Sequence, residues 1–487
     1  MVFSGLTFLY LFLPACFLLY HVSSSPVWRN SFLLLCSLFF YAWGEPICVL
    51  LLMFSAFVDY SCSLLLDRFR QCGNAPKLFV ALSLLLNLGI LVVFKYSGFL
   101  VASLNQLTGL GLPVPQIALP IGISFYTFQT ISYTIDVYRE DVPPQRNYFK
   151  LLLYVSMFHQ LVAGPIVRYS HIASEIDCRR TDIADISAGL NRFMVGLAKK
   201  VLFANSLGKL SAVYMAAPAS QLSTSAAWFG LLAYTMQYYF DFSGYSDMAI
   251  GLGRMFGFHY QENFDYPFVS QSVSEYWRRW HISLGSWFKD YLFYPLMMSG
   301  GFRKLGKWSK AKLGRKAGIN IPTVLALTIV WFSTGLWHGA SWNYILWGGY
   351  FGLWIVLEML FLGKLLQKLP RVLRHLYLLL IVMIGFAIFY FEDMSGLGPF
   401  LAALCGFGGG SSPTLWLSVS ANLWFLLLGA LLCLPVVPAL RDRLTARSES
   451  MGTVLDCLRI PANVALLLLC TACLVGQTYN PFMYFRF

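Results

Sequence analysis

Ser274-Glu275-Tyr276-Trp277-Arg278-Arg279-Trp280-His281 opens the stretch on which the reading of this chain turns, and Gly335-Leu336-Trp337-His338-Gly339-Ala340-Ser341-Trp342-Asn343 comes near its end. A basic loop, 303–316, and one apolar run, 321–337, lie between them. Two histidines therefore need a reason to be where they are. His281 sits beside arginines, and His338 ends a run apolar enough to sit in lipid. A titratable group at membrane depth is costly, so its default reading is functional.

Working outward, the whole chain has the composition of a polytopic membrane protein. Of its 487 residues 58% are hydrophobic and 12% charged, where soluble domains carry about 25% charged residues. Mean hydropathy is +0.64. Aromatic residues make up 17%, which suits interfacial belts and the lining of a tunnel. The net charge of +13 does not argue for nucleic acid, because Lys and Arg sit in short clusters between apolar runs, as cytoplasmic loops do. The lone CxxC, Cys470-Thr471-Ala472-Cys473, has no second pair and no nearby His, so no metal site is expected. The run 6–19 lacks a basic flank and a small-residue cleavage site, and is read as a retained first span.

A span needs about 20 largely apolar residues. Candidates are 5–21, 31–45, 47–66, 77–100, 120–137, 148–166, 188–214, 225–252, 321–337, 342–362, 375–391, 421–438 and 460–477. Gly, Pro, Ser and Thr interrupt 120–137 and 282–300, which are the re-entrant candidates; irregular backbone at that depth needs protein or a cavity around it. Arg29, Arg68, Arg70, Lys77, 303–316, 364–374 and 441–459 mark the cytoplasmic side by their Lys and Arg. The stretches 98–138, 392–420 and 478–485 are nearly free of both and mark the other side. Both termini are then expected outside, His281 on the cytoplasmic side and His338 towards the outer half. No internal repeat supports a transporter built of inverted halves. One integral domain, 1–487, is expected, with its functional core at about 120–362.

The candidate residues each have two readings. A neutral imidazole at His338 suits general-base work on a hydroxyl, and Gly339 and Ala340 leave room for a group to approach it; a hydrogen-bonded structural histidine is the alternative. Arg278 and Arg279 suit bidentate contact with phosphate or carboxylate, whereas Trp277, Trp280 and the arginines also suit an interfacial anchor on a helix that carries His281. Asp241 and Asp247 lie in an apolar span about 240° apart around a helix, so they are no acid/base dyad but partners for Arg or His, or helix-end ligands. Asp59 and Glu358 read as structural. Gln160-Leu161-Val162-Ala163-Gly164-Pro165-Ile166-Val167-Arg168 reads as a turn. No nucleophile elbow, P-loop or HExxH is present.

Taken together these residues resemble the membrane-bound O-acyltransferase (MBOAT) family, in the bacterial branch that includes the membrane subunit of alginate O-acetyltransferase. The matching stretches are Met1-Val2-Phe3-Ser4, Phe40-Tyr41-Ala42-Trp43-Gly44, Leu119-Pro120-Ile121-Gly122-Ile123-Ser124-Phe125-Tyr126-Thr127-Phe128-Gln129, Ala163 to Arg168, the Asp241–Asp247 cluster, Trp277 to His281, Gly335 to Asn343, and Asn480-Pro481-Phe482-Met483-Tyr484-Phe485-Arg486-Phe487. One departure is His159, where relatives usually have Pro. The resemblance implies an all-α membrane fold of about 11 spanning helices, with re-entrant or short helices, around a central funnel and tunnel.

It also implies His338 as the catalytic histidine and His281 as a second one. Arg278, Arg279, Trp277 and Trp280 would then serve the donor. Trp337, Trp342, Asn343 and Asp241 would shape the site, Asn343 as an oxyanion donor. The implied activity moves an acyl group, acetyl first, from a cytoplasmic thioester such as acetyl-CoA to an extracytoplasmic polysaccharide such as alginate, with no bound cofactor. The implied setting is the bacterial inner membrane, with periplasmic or membrane-anchored SGNH-like acetyltransferases as partners. D-alanyl transfer to teichoic acid is the alternative within the family. A transporter or a non-enzymatic scaffold is the alternative outside it.

Overall fold

A computed structural model describes residues 1–162 and 164–476. Ala163 of the Gly-Pro turn and the ending from Asn480 to Phe487, with the C-terminus whose side was expected, lie outside the described residues. Every regular element described is helical, and the one backbone bridge joins Phe264 to Trp280. Among the described residues, 7 helices are long and apolar enough to cross a membrane: Cys48–Arg68, Ala75–Thr108, Arg315–His338, Trp342–Leu366, Arg371–Tyr390, Leu415–Leu432 and Ser450–Val475. Phe8–Tyr20 and Met394–Leu404 are apolar but shorter. The chain forms two compact units, Met1–Leu197 with Tyr245–Glu262, and Ala198–Gly244 with the chain from Asn263 onward.

In the first unit a buried acid joins three helices: α1 (Cys48–Arg68), α2 (Ala75–Leu91) and α3 (Ile123–Arg139). Asp59 of α1 is fully buried. Its carboxylate accepts from Ser83 and from Asn87 Nδ2 (2.8 Å) of α2, and from Thr134 Oγ1 (2.7 Å) of α3. From Ile123 onward, the segment expected to be re-entrant at 120–137 is one unbroken helix. Thr130 and Ser132 turn back onto their own helix, to the Thr127 carbonyl at 3.1 Å and the Gln129 carbonyl at 2.8 Å, and Thr134 turns to Asp59, so polar side chains are carried without a break. Asp247 has the arginine partner expected of it: Arg192 donates to it at 2.9 and 2.8 Å and to Glu262 as well. The helix Tyr148–Ser156 stops before Met157, a short turn restarts at Phe158, and His159 Nδ1 meets the Tyr260 hydroxyl at 2.6 Å.

The second unit contains α5 (Val273–Arg279), α6 (Ile282–Phe288), α7 (Gly300–Leu313), α8 (Arg315–His338), α9 (Trp342–Leu357) and α10 (Arg371–Tyr390). Helix α4 (Thr224–Met255) begins in this unit and ends in the first. The region 282–300 is broken as expected, into α6, a π turn Lys289–Phe293 and the short helix Tyr294–Met298. The basic stretch 303–316 is not a loop. Ser299 caps α7 by accepting from the Phe302 amide (3.3 Å), and Lys, Leu and Ala favour helix up to Gly314. Gly314, at φ +89°, ends α7 and lets α8 start at Arg315. Helices α8 and α9 then cross at glycines: a Cβ on Gly335 would stand 2.4 Å from the Tyr344 carbonyl, and one on Gly348 2.3 Å from that of Trp331.

Replacing Asp59 with Leu strands the Asn87 amide and the Ser83 and Thr134 hydroxyls, at a cost of about 3 kcal/mol. Asp59→Leu should therefore lower the thermal midpoint in detergent clearly more than Asp59→Asn, which still accepts. Equal midpoints for the two variants would show that the cluster does not hold the three helices.

Candidate active site

His338 is the last residue of α8, and its burial follows from the glycine crossing just before it. The chain leaves it through Gly339 in extended backbone and turns at Ser341 into α9. The space beside the imidazole that Gly339 was expected to leave is taken by Tyr344, whose ring lies 2.2 Å from where a Cβ on Gly339 would be. Trp347 meets the imidazole edge-on at 4.7 Å and Phe389 at 5.5 Å. Beyond them Tyr238 and Phe242 of α4, Tyr276, Trp277 and Trp280, Phe351 of α9 and Phe386 of α10 complete the wall of a slot of about 10 Å³. That is the room a single water needs (about 10–15 Å³).

The string Trp277 to His281 is split by a turn, not carried on one helix as expected. α5 has seven residues, too few to hold itself, and is tied at both ends. At its start, Glu358 accepts from the Val273 amide (2.6 Å), the Ser274 amide (2.8 Å) and the Ser274 hydroxyl (2.6 Å), and Tyr377 donates to the same carboxylate at 3.0 Å. At its end, the Arg279 carbonyl accepts from the Asp265 amide (2.9 Å), and the Ile282 amide donates to the Asn263 carbonyl (3.0 Å). His281 takes the left-handed conformation between α5 and α6, at φ +46°.

Its ring orientation follows from Asn263. Asn263 Oδ1 accepts from the Ser283 amide (3.3 Å) and hydroxyl (2.8 Å), so that atom is the oxygen. His281 Nδ1, 3.0 Å from the same oxygen, must then be the protonated nitrogen, and Nε2 carries the lone pair. His281 lies outside the seven candidate spans, and burial pushes its imidazole down to about 3. It is neutral at pH 7 and cannot serve as a fixed cation.

Beside His281 opens a cavity of about 500 Å³, lined by Ser274, Trp277, Arg278, Lys289 and, on α8, Val330, Trp331 and Thr334. Small-molecule sites are typically about 300–1,000 Å³. Trp277 lines both this cavity and the slot. The two histidines, one expected on the cytoplasmic side and one towards the outer half, flank one indole: Trp337 lies 5.7 Å from His281 and 5.0 Å from His338.

The adjacent arginines part company here. Arg279 is held by Asp265 (2.7 Å) and Glu275 (3.3 Å) and does not line the cavity. Arg278 lines it, and among the described residues its guanidinium has no hydrogen-bond or ion-pair partner. Trp280 lines the slot and not the cavity. Trp342 is half-exposed, at 52%. Asn343 is buried and donates its amide to the Phe389 carbonyl at 3.1 Å, tying α9 to α10. Asp241 lines neither space. Its partner is Lys200, at 2.5 Å, both side chains buried, where Arg or His was expected. Sequence reasoning missed Lys200, the helix-holding role of Glu358 and the outer wall of Phe386 and Phe389. For the phenylalanines no signal was available, since they lie in an ordinary apolar run.

An all-helical, multi-pass membrane protein with a buried histidine in an aromatic slot next to a ligand-sized cavity is the class these features define. Residues 144–309 match the MBOAT, membrane-bound O-acyltransferase family. The chain is 36% identical over 522 residues to the probable alginate O-acetylase AlgI of Azotobacter vinelandii, covering 100% of both chains. It is 40% identical over 415 residues to the protein of that name from Pseudomonas aeruginosa, covering 84% of this chain and 75% of that one. It is 32% identical over 379 residues to the peptidoglycan O-acetyltransferase of Helicobacter pylori, covering 72% and 68%. The chain belongs to the membrane-bound O-acyltransferase family and is an O-acyltransferase.

The Lys200–Asp241 pair yields a stability prediction. Lys200→Met leaves a buried carboxylate without its cation, which should cost about 3–5 kcal/mol, and adding Asp241→Leu should recover most of it. Unfolding of the two variants in detergent checks this; a double variant less stable than the single one would count against it.

Proposed function

We propose that this acyltransferase moves an acetyl group from a cytoplasmic thioester, acetyl-CoA in the simplest case, to a hydroxyl on an extracytoplasmic polysaccharide. Alginate is the first candidate, because relatives matched over the full length of both chains carry that name. The observation that carries the reading is the pairing of a slot at His338 with a cavity lined by Arg278 and Lys289, one indole away. The two spaces suit the two ends of a thioester: a small acyl end and a larger, anionic carrier. Arg278 and Lys289 supply the charge for the carrier, and His281, neutral, supplies an acceptor at Nε2 instead.

In the proposed reaction His338 takes the proton of the attacking hydroxyl. The oxygen adds to the thioester carbonyl, the C–S bond breaks as the tetrahedral adduct collapses, and the imidazolium returns its proton to the departing thiolate. The acceptor is the polymer itself or a serine of an SGNH-like partner that hands the acetyl on. The setting is the bacterial inner membrane, with the basic helix α7 in the cytoplasm and both termini outside, supported by the distribution of Lys and Arg.

Radiolabelled acetyl-CoA supplied to the cytoplasmic face of membrane vesicles, with acceptor present, tests this. His338→Ala at normal membrane abundance should lower transfer by about 100- to 10,000-fold; labelled acceptor formed at the wild-type rate would sink the assignment. Arg278→Gln should raise the donor KM about tenfold with kcat little changed, the pattern of lost ground-state binding. An unaltered KM would remove Arg278 from the donor site.

A further inference from the structure

The slot at His338 is walled by aromatic rings. Trp347 and Phe389 flank the imidazole. Trp277 stands on the cavity side, where it also faces the larger space. Tyr238 and Phe386 line the slot too, with rings 5.2 Å apart and Trp280 5.7 Å from Phe386, and are taken as its floor. Neither floor ring is loose. Phe386 is backed by Tyr234 at 6.3 Å, and Tyr238 by Phe389 at 5.3 Å. The floor residues come from α4 and α10, both buried at these positions. Close-packed aromatic rings do not yield to an extra methylene without moving their neighbours.

We infer that Tyr238 and Phe386 form an acyl-length stop, restricting the transferred group to two carbons. The inference rests on the proposed function, since it places the acyl end of the thioester in the slot. With the carbonyl beside His338, a methyl fits a space of about 10 Å³. A propyl tail needs more room than the slot has and would press on the rings that line it, Tyr238 and Phe386 among them. The roomier cavity does not relieve it, because a tail turned back past Trp277 would carry the carbonyl away from the imidazole. The chemistry of transfer is the same for every acyl length, so discrimination is steric and appears in the ratio of rates.

The experiment compares acetyl-, propionyl- and butyryl-CoA as donors in membranes with acceptor present, for the wild type, Phe386→Ala, Phe386→Leu and Tyr238→Ala. One methylene in an apolar pocket discriminates by about 10- to 200-fold. The wild type should therefore favour acetyl over butyryl by at least about 100-fold. Phe386→Ala should shrink that preference at least about tenfold, with Phe386→Leu in between. The ratio is internal to each preparation, so reduced abundance of a variant does not affect it. Butyryl transfer by the wild type at the acetyl rate would overturn the length stop while leaving the acyltransfer reading intact. So would a ratio unmoved in Phe386→Ala, Phe386→Leu and Tyr238→Ala alike. Absence of transfer from every thioester would overturn the underlying reading and the stop with it.

Discussion

The carboxylate of Glu358 fixes where the site can be. It takes the first two amides of α5 and a side-chain hydroxyl from the same turn, and so decides the direction of a helix too short to choose its own. Trp277 and Arg278 project from that helix. With Asn263 tying the far end through His281 and Ser283, the cavity wall is built between two anchors. A helix N-terminus also favours a negative charge beside it, which explains why an acid can be kept at 7% exposure within an apolar helix run.

The same logic recurs at four charges that enter apolar runs. Lys95, Lys200, Lys289 and Glu358 each lie in a π turn, where one extra residue loosens the helix. In lipid no water compensates a stranded polar atom, so a charge is tolerated where the backbone is bent to bring it to a partner. Lys200 reaches Asp241, Glu358 reaches α5, and Lys95 reaches the Ser124 hydroxyl at 3.1 Å. Lys289 differs: it faces the cavity and stands 5.6 Å from the Tyr294 ring.

What was legible in the sequence follows from which residues are expensive. His281 and His338 stood out because imidazoles in apolar context demand explanation, and the spans stood out because hydropathy is a sum over many residues. The Lys and Arg of 303–316 mark orientation and so suggest a loop, whereas the Lys, Leu and Ala around them are good helix formers and make the helix α7. Arg278 and Arg279 look alike as letters, yet Glu275 lies four residues before Arg279 and marks it as the paired one. Asp265, which completes that pairing, is distant along the chain and announced nothing. The slot was invisible for a different reason. Phe386 and Phe389 are unremarkable members of an apolar helix, and tertiary packing alone turns them towards His338.

The two spaces also divide the chemistry. The 500 Å³ cavity is large enough to admit solvent along with a carrier, whereas the slot is closed by rings. A thioester carbonyl held in the larger space would be open to water and to loss by hydrolysis. Held in the slot, on the proposed reading, it would meet His338 where there is room for one water at most, and the electrostatic help from the imidazole would be stronger for the scarcity of solvent. On the proposed reading Trp277, which borders both spaces, marks the line between carrier and reacting carbon. The acceptor hydroxyl must then reach His338 by a route other than the carrier's.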